Sequence, residues 1–512
     1  MQEGPPRLDP ARLIPPRAYA MESTFRPVFW LMSGRAVGQL ATFFIPVVLA
    51  RIFDQATFGT YKRLFLLYGT LYGIAQLGLA ESLYYFHPRF PKSAGRLALN
   101  AMLGLTASGL LCFAVLLAAR IPVSAWMGDL GLAEHLPFVA AFLLLLLASA
   151  VLEITMVAHQ GYELASLTYM GSDLLRAGFL VLPALVTSSL RGLLIGAVAF
   201  ALVRLGATLA YLGRRFAADF RTDARLLKAQ LGYALPFALA VLVETVQANF
   251  HQYAVSCRFD AAAFAVYSVA LLQIPLVDYT ATAAGSVVMV RMGEKLQDGQ
   301  ADAVRALWHD AICKLALIFF PLVALLLVAG REVIVLLFTE RYAASVPLFR
   351  LASLGILFTT LQTDSVLRVL AETRFLLVLN ALRLLMVAAL IDGVLSRFQL
   401  PGAIILTLLT AAVARGLSLA RIGRLQGMAL SALLPWRRLA LALTVAASAG
   451  LVALGARAGL HWPALPRLAA TTALLTAVYV ALARQVGLLP RVEGGGWRAW
   501  IRGAPGIPML RS

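Results

Sequence analysis

Three arginines stand deep inside long apolar runs: Arg35, Arg176 and Arg383. A charged side chain at mid-bilayer costs about 2.5–3.5 kcal/mol on insertion scales, so one that persists faces an interior cavity or a partner. Asp173 precedes Arg176 by one helical turn, and Asn380 precedes Arg383 by the same interval. The two polar-x-x-Arg elements are 207 residues apart, which suggests duplication; Asp173 can neutralise Arg176 along its own helix, whereas Asn380 cannot do that for Arg383. Guanidinium forks pair well with phosphate. If these arginines face one cavity, they form a cationic floor for an anionic, phosphate-bearing ligand. Other polar groups share their depth. Gln39 and Thr42 follow Arg35 along one face, Gln247 and His251 follow Glu244, and Thr282 follows Asp278. At the duplicate positions of Asp278 and Thr282 stand Tyr72 and Gln76. A buried carboxylate is either a proton or cation site or one half of an ion pair, and Glu244 and Asp278 are the ion-coupling candidates.

Arg204, Lys314, Arg350 and Arg415 lie nearer the ends of their apolar runs and are expected to snorkel to an interface. No catalytic motif accompanies these charges. GxxxxGK[ST], GxSxG and HExxH are all missing, the six histidines are scattered, and Cys112, Cys257 and Cys313 form neither a CxxC nor a metal-ligand cluster. The chain therefore reads as a non-enzyme with no metal or cofactor beyond a coupling proton or Na+.

The elements that must hold these groups are membrane helices. Of the 512 residues 61% are hydrophobic and 13% charged, far from the composition of soluble domains. The fold class is an all-α polytopic membrane protein. Apolar runs of about 20 residues predict fourteen helices, near 28–50, 64–86, 97–119, 137–158, 167–187, 190–212, 229–252, 264–289, 311–330, 346–368, 375–395, 399–420, 438–457 and 464–486. The net charge of +19 reads as topology rather than nucleic-acid binding, because the connections on one side carry more than twice the Lys and Arg of those opposite. Both termini then lie in the cytoplasm.

Arg51 to Tyr61 and Arg258 to Tyr267 share a pattern. Phe53, Asp54, Ala56, Phe58 and Tyr61 reappear 206 residues later as Phe259, Asp260, Ala262, Phe264 and Tyr267. Helix 1 maps onto helix 7, so the repeat holds six helices and its two copies enter the membrane in the same direction, with a cavity between them. Each copy of the echo falls at an extracytoplasmic turn, where Asp54 and Asp260 read as helix caps. The expected organisation is a cytoplasmic tail at 1–27, a six-helix bundle at 28–212, a cytoplasmic amphipathic linker at 213–228, a second bundle at 229–420, a connection at 421–437, helices 13 and 14 at 438–486, and a cytoplasmic tail at 487–512.

The stretch Val48-Leu-Ala-Arg-Ile-Phe-Asp-Gln-Ala-Thr-Phe-Gly-Thr-Tyr61 resembles the helix 1 to helix 2 connection of the polysaccharide (O-antigen, Wzx-type) flippases. These belong to the MATE-like superfamily that also holds multidrug exporters and lipid II flippases. Leu336 to Leu351 is similar to the stretch before that family's helix 10, with Thr339 where Gly is commoner, and the second repeat has Ala265 in place of Gly59. The resemblance implies two six-helix bundles that rock around a central cavity, with ion-gradient coupling. It also implies an undecaprenyl-diphosphate-linked oligosaccharide, moved from the cytoplasmic to the periplasmic leaflet of a bacterial inner membrane. Polysaccharide polymerase and glycosyltransferase machinery are the implied partners. Alternatives on the same fold are a MATE-type cation or drug antiporter and a lipid II flippase; a non-transporting scaffold of a glycan-assembly complex is a third.

Overall fold

The computed structural model describes residues 25–457, 459 and 462–489. Among them there is no strand. The helices run α1 (Phe25–Ile52), α2 (Gln55–Ala75), α3 (Leu79–Phe86), α4 (Ala94–Ala118), α5 (Arg120–Trp126), α6 (Leu132–Ala148), α7 (Leu152–Ala158), α8 (Tyr162–Thr187), α9 (Leu190–Arg215) and α10 (Ala224–Arg258). They continue with α11 (Ala261–Ala270), α12 (Pro275–Gln297), α13 (Ala301–Phe338), α14 (Ser345–Ser353), α15 (Gly355–Thr359), α16 (Thr363–Val369), α17 (Thr373–Gln426), α18 (Leu430–Leu433), α19 (Trp436–Arg457) and α20 (Ala464–Gln485).

Among the described residues eleven helices or broken helices are long and apolar enough to cross a membrane, and the bent pair α11–α12 makes a twelfth. The expected fourteen is reached only by also counting α1, whose Gly38–Ile52 stretch is a shorter apolar helix, and by dividing α17. The 54 residues of α17 would extend about 80 Å as one rod, far beyond the hydrocarbon core of roughly 30 Å. Its backbone breaks at Gln399 (φ 51°, ψ −142°), with Pro401 just beyond. Arg383 and Arg415, on either side of that break, line one cavity. The chain therefore doubles back at Gln399, and α17 has two limbs.

The sequence echo is a repeated cap. Asp54 Oδ1 accepts from the Thr57 amide at 3.1 Å and opens α2, while Asp260 Oδ1 accepts from the Ala263 amide at 2.7 Å and opens α11. Beneath each cap the repeated aromatics Phe58, Tyr61, Phe264 and Tyr267 are buried. The helices after them repeat their neighbours too: α1 packs along α8 as α10 does along α17, and α2 meets α6 as α11 meets α14. Two six-helix units follow from this packing. Outside them, α19 and α20 pack on α13 around their own small-residue core of Ala442, Ala446, Ala449 and Ala453.

The lobes meet through α2, which packs on both α10 and α11. A methyl on Gly59 would lie 1.7 Å from the Ala261 carbonyl oxygen, so only glycine permits this crossing. One turn on, Arg63 is 1% exposed, donates to the Ser256 and Phe259 carbonyls and lies 3.6 Å from Asp129. At the same end Arg51 donates to the Leu336 and Leu337 carbonyls and Gln55 to that of Arg341. This end of the molecule is closed. At the other end the first turns of α10 rest on the first lobe, where Gln230 Nε2 reaches Ser82 Oγ and the Leu97 carbonyl. Residues 213–228 finish α9, make a single 3-10 turn at Ala217–Asp219 and begin α10. Arg96 holds that turn through Asp219 at 2.7 Å.

Candidate functional site

Two breaks interrupt the long helices beside the lobe interface. After α2 the chain passes through the left-handed Leu77 and Gly78 (φ 51° and 65°) before α3. Between α11 and α12 it unwinds over Leu271 to Ile274 and bends by 51°, with Pro275 opening the next helix. Both had been expected as continuous helices; local backbone geometry interrupts them. Unwound backbone at membrane depth is tolerated where it lines a cavity, and the second break does so. A cavity of about 380 Å³ lies between the lobes, bounded by Gln39, Thr42 and Lys62 on one side and by Gln252, Gln273 and Asp278 on the other.

This space continues into the second lobe. A neighbouring cavity of about 220 Å³ shares Leu271, Gln273 and Asp278 with it and reaches Thr359. Next comes one of about 270 Å³ lined by Thr359, Thr407, Arg383 and Arg415. Another of about 270 Å³ adds Gln362, Asp364 and Arg368 to Thr359 and Arg415. The row leads from an amide-rich space between the lobes, with Lys62 and Asp278 on its walls, to a cationic end inside the second lobe.

The expected site residues are distributed over this frame. Gln39 and Asp278 both line the inter-lobe cavity. Arg383 sits at the cationic end, and Glu244 on α10 is exposed and within its electrostatic reach. Gln247 is buried on α10, one turn before His251, whose Nδ1 meets the Tyr267 hydroxyl at 2.7 Å. Arg176 and Tyr72 belong to the first lobe, Tyr72 lying against Tyr68 with ring centroids 5.7 Å apart. Gln76 ends α2 at the first break. Arg35 lies on α1, but its side chain is outside the described residues. Arg176 and Arg383 thus stand in different lobes.

Four cations were misjudged from the sequence. Lys62 and Arg63 lie two turns inside α2, because the Asp54 cap starts that helix at Gln55 rather than at 64. Arg204 and Arg415 do not snorkel. Arg204 Nη2 pairs with Glu153 Oε2 at 2.6 Å and its Nη1 meets Ser172, while Arg415 pairs with Asp364 and donates to Thr363. Partners within the bundle decide where these side chains go. Among the described residues no group of three His, Cys, Asp or Glu is placed to hold a metal ion.

The family of polysaccharide biosynthesis proteins matches residues 48–347. The chain belongs to this family. The polysaccharide biosynthesis family member shares its fold with solved transporters of low sequence identity. Lipid II flippase MurJ in an inward closed conformation superposes with a TM-score of 0.67 at 11% identity, covering 90% of this chain and 99% of MurJ. An inward-facing multidrug resistance MATE family transporter of the MOP superfamily gives 0.57 at 18% identity, covering 77% and 95%. A MOP superfamily transporter from Pyrococcus furiosus gives 0.55 at 18% identity, covering 80% and 96%. No curated protein matches the sequence. The chain is a multi-pass membrane protein of MOP transporter fold.

Proposed function

We propose that this protein is a flippase that carries a polyprenyl-diphosphate-linked oligosaccharide from the cytoplasmic to the periplasmic leaflet of a bacterial inner membrane. The observation that carries the reading is the row of cavities running from between the lobes to Arg383 and Arg415. An amide-rich space suits a sugar head, and a cationic end suits its diphosphate. Membership in the polysaccharide biosynthesis family supports that cargo. The Lys and Arg asymmetry of the connections supports cytoplasmic termini. The closed end, at the α1–α2 turn, is then extracytoplasmic. Alternating access needs a ligand or ion that binds the two states differently. A proton or Na+ at Glu244 or Asp278 fills that role.

The test is transport in proteoliposomes. A fluorescent short-chain polyprenyl-diphosphate saccharide should become accessible on the opposite leaflet with the protein present, and Arg383→Ala should reduce the rate at least tenfold. Protein-dependent efflux of a cationic drug without lipid movement would instead establish the antiporter reading, which the carboxylate of Asp278 in the inter-lobe cavity favours.

A further inference from the structure

Each lobe carries the same four polar positions. In the first, Glu153 on α7 pairs with Arg204 on α9, and Asp173 precedes Arg176 on α8. In the second, Asp364 on α16 pairs with Arg415 in the second limb of α17, and Asn380 precedes Arg383 in the first limb. Both ion pairs join residues 51 apart in sequence. Corresponding positions are separated by 207 or 211 residues, close to the 206 of the capping echo. The quartet was duplicated with the fold.

The copies have since diverged in access and in charge. Glu153 is 2% exposed and Arg204 16%, whereas Asp364 is 48% exposed and Arg415 24%. Arg415 lines both cavities of the cationic end, Arg383 shares one of them, and Arg368 shares the other. Asp173 in the first quartet is Asn380 in the second, which removes one carboxylate from beside the arginines. Glu244 lies within electrostatic reach of Arg383, yet among the described residues no carboxylate pairs directly with that arginine. Its buried Nε has no hydrogen-bond partner, a feature it shares with Arg176 of the first quartet.

We propose that the second quartet is an anion site in which Arg383 and Arg415 together hold a phosphate-type group. Asp364 competes with that group for Arg415, and the first quartet is a structural lock that ties α7, α8 and α9 together. In the empty site Asp364 compensates Arg415, so the cavity does not hold two unanswered cations. An arriving diphosphate supplies acceptor oxygens to both guanidinium forks and displaces the weaker, solvent-exposed carboxylate. Thr359 and Thr407 supply hydroxyls at the same wall. This proposal deepens the flippase reading and rests on it for the lipid as source of the anion.

Binding to the purified full-length protein in nanodiscs tests it, with polyprenyl diphosphate and inorganic pyrophosphate as probes. Arg383→Ala and Arg415→Ala should each weaken polyprenyl diphosphate at least about tenfold, the loss expected for a charge-assisted hydrogen bond. Asp364→Asn should tighten it several-fold, and Glu153→Gln should lower the unfolding temperature while leaving affinity within about twofold. Pyrophosphate should displace the lipid probe; a lipid probe that pyrophosphate does not displace would overturn the head-group site. Should Arg415→Ala fail to fold, Arg415→Lys, which should weaken the lipid, and Asp364→Asn, which should tighten it, take its place. Unchanged affinity in folded Arg383 and Arg415 variants would sink the site and leave the flippase reading standing. Binding of neither probe by the wild type would remove both.

Discussion

Glu153 is sealed inside the bundle, 2% exposed, with Arg204 as its ion-pair partner at 2.6 Å. Removing one partner leaves the other uncompensated, at a cost of about 3–5 kcal/mol, whereas apolar residues of similar size at both positions restore much of it. Glu153→Gln is therefore expected to lower the unfolding temperature in detergent sharply, and Glu153→Leu with Arg204→Met to recover most of that loss. A second residue-scale expectation concerns His87, which caps α3 beyond the membrane span and is buried against the rings of His159 and Phe216. Arg215 Nη2 adds its charge at 2.7 Å from His159 Nε2. Burial first, then repulsion from His159, pushes His87 down from 6.5 to about 4. The unfolded chain takes up this proton more readily than the folded one, so the contribution is intact above about pH 6.5 and is lost as pH falls toward 4. His87→Gln should flatten the unfolding temperature over that window; a profile identical to wild type would refute the assignment. At this scale the sequence displayed Glu153, Asp364 and both arginines. What hid their roles was judging each cation by its distance from a helix end, when the equal spacing of 51 residues already marked two equivalent pairs.

The crossing of α2 and α11 depends on a missing side chain. Gly59→Ala would place a methyl 1.7 Å from the Ala261 oxygen, a clash that backbone must move to relieve. The variant should be less stable and should expose a cysteine placed at Lys62, in a background lacking Cys112, Cys257 and Cys313, to a membrane-impermeant thiol reagent. Labelling and unfolding temperature equal to the parent would show that the closed end does not rely on this contact. Hydropathy marked an apolar run in each of these helices but set the start of α2 nine residues late, while the caps of Asp54 and Asp260 followed from residue type and position. Their interruptions did not. Leu77 adopts a left-handed backbone that leucine rarely takes, and Leu271 to Ile274 unwind within an apolar run. The second break lines the cavities beside the lobe interface, a tertiary feature that an apolar run does not display.

Over the whole molecule, the two additional helices are attached by charge as well as by small residues. Glu332 on α13 is 1% exposed and pairs at 2.7 Å with both Arg457 of α19 and Arg467 of α20. Glu332→Gln should leave those arginines facing each other without a counter-charge, and limited proteolysis should cut near 458–463 faster than in the wild type; unaltered cleavage would place the attachment in the alanine-rich packing alone. The echoed turn was legible as a shared pattern, and so was the division of α17, because the apolar runs at 375–395 and 399–420 meet where its backbone breaks at Gln399. The joint between the halves is pinned to the first lobe by Arg96 through Asp219 and by Asn100 through the backbone of Asp223. A joint this short and this firmly held keeps the second half at high effective concentration beside its own first half. Two such molecules in one membrane have little opportunity to exchange halves, so a duplicated sequence escapes the domain swapping that its internal likeness would otherwise invite.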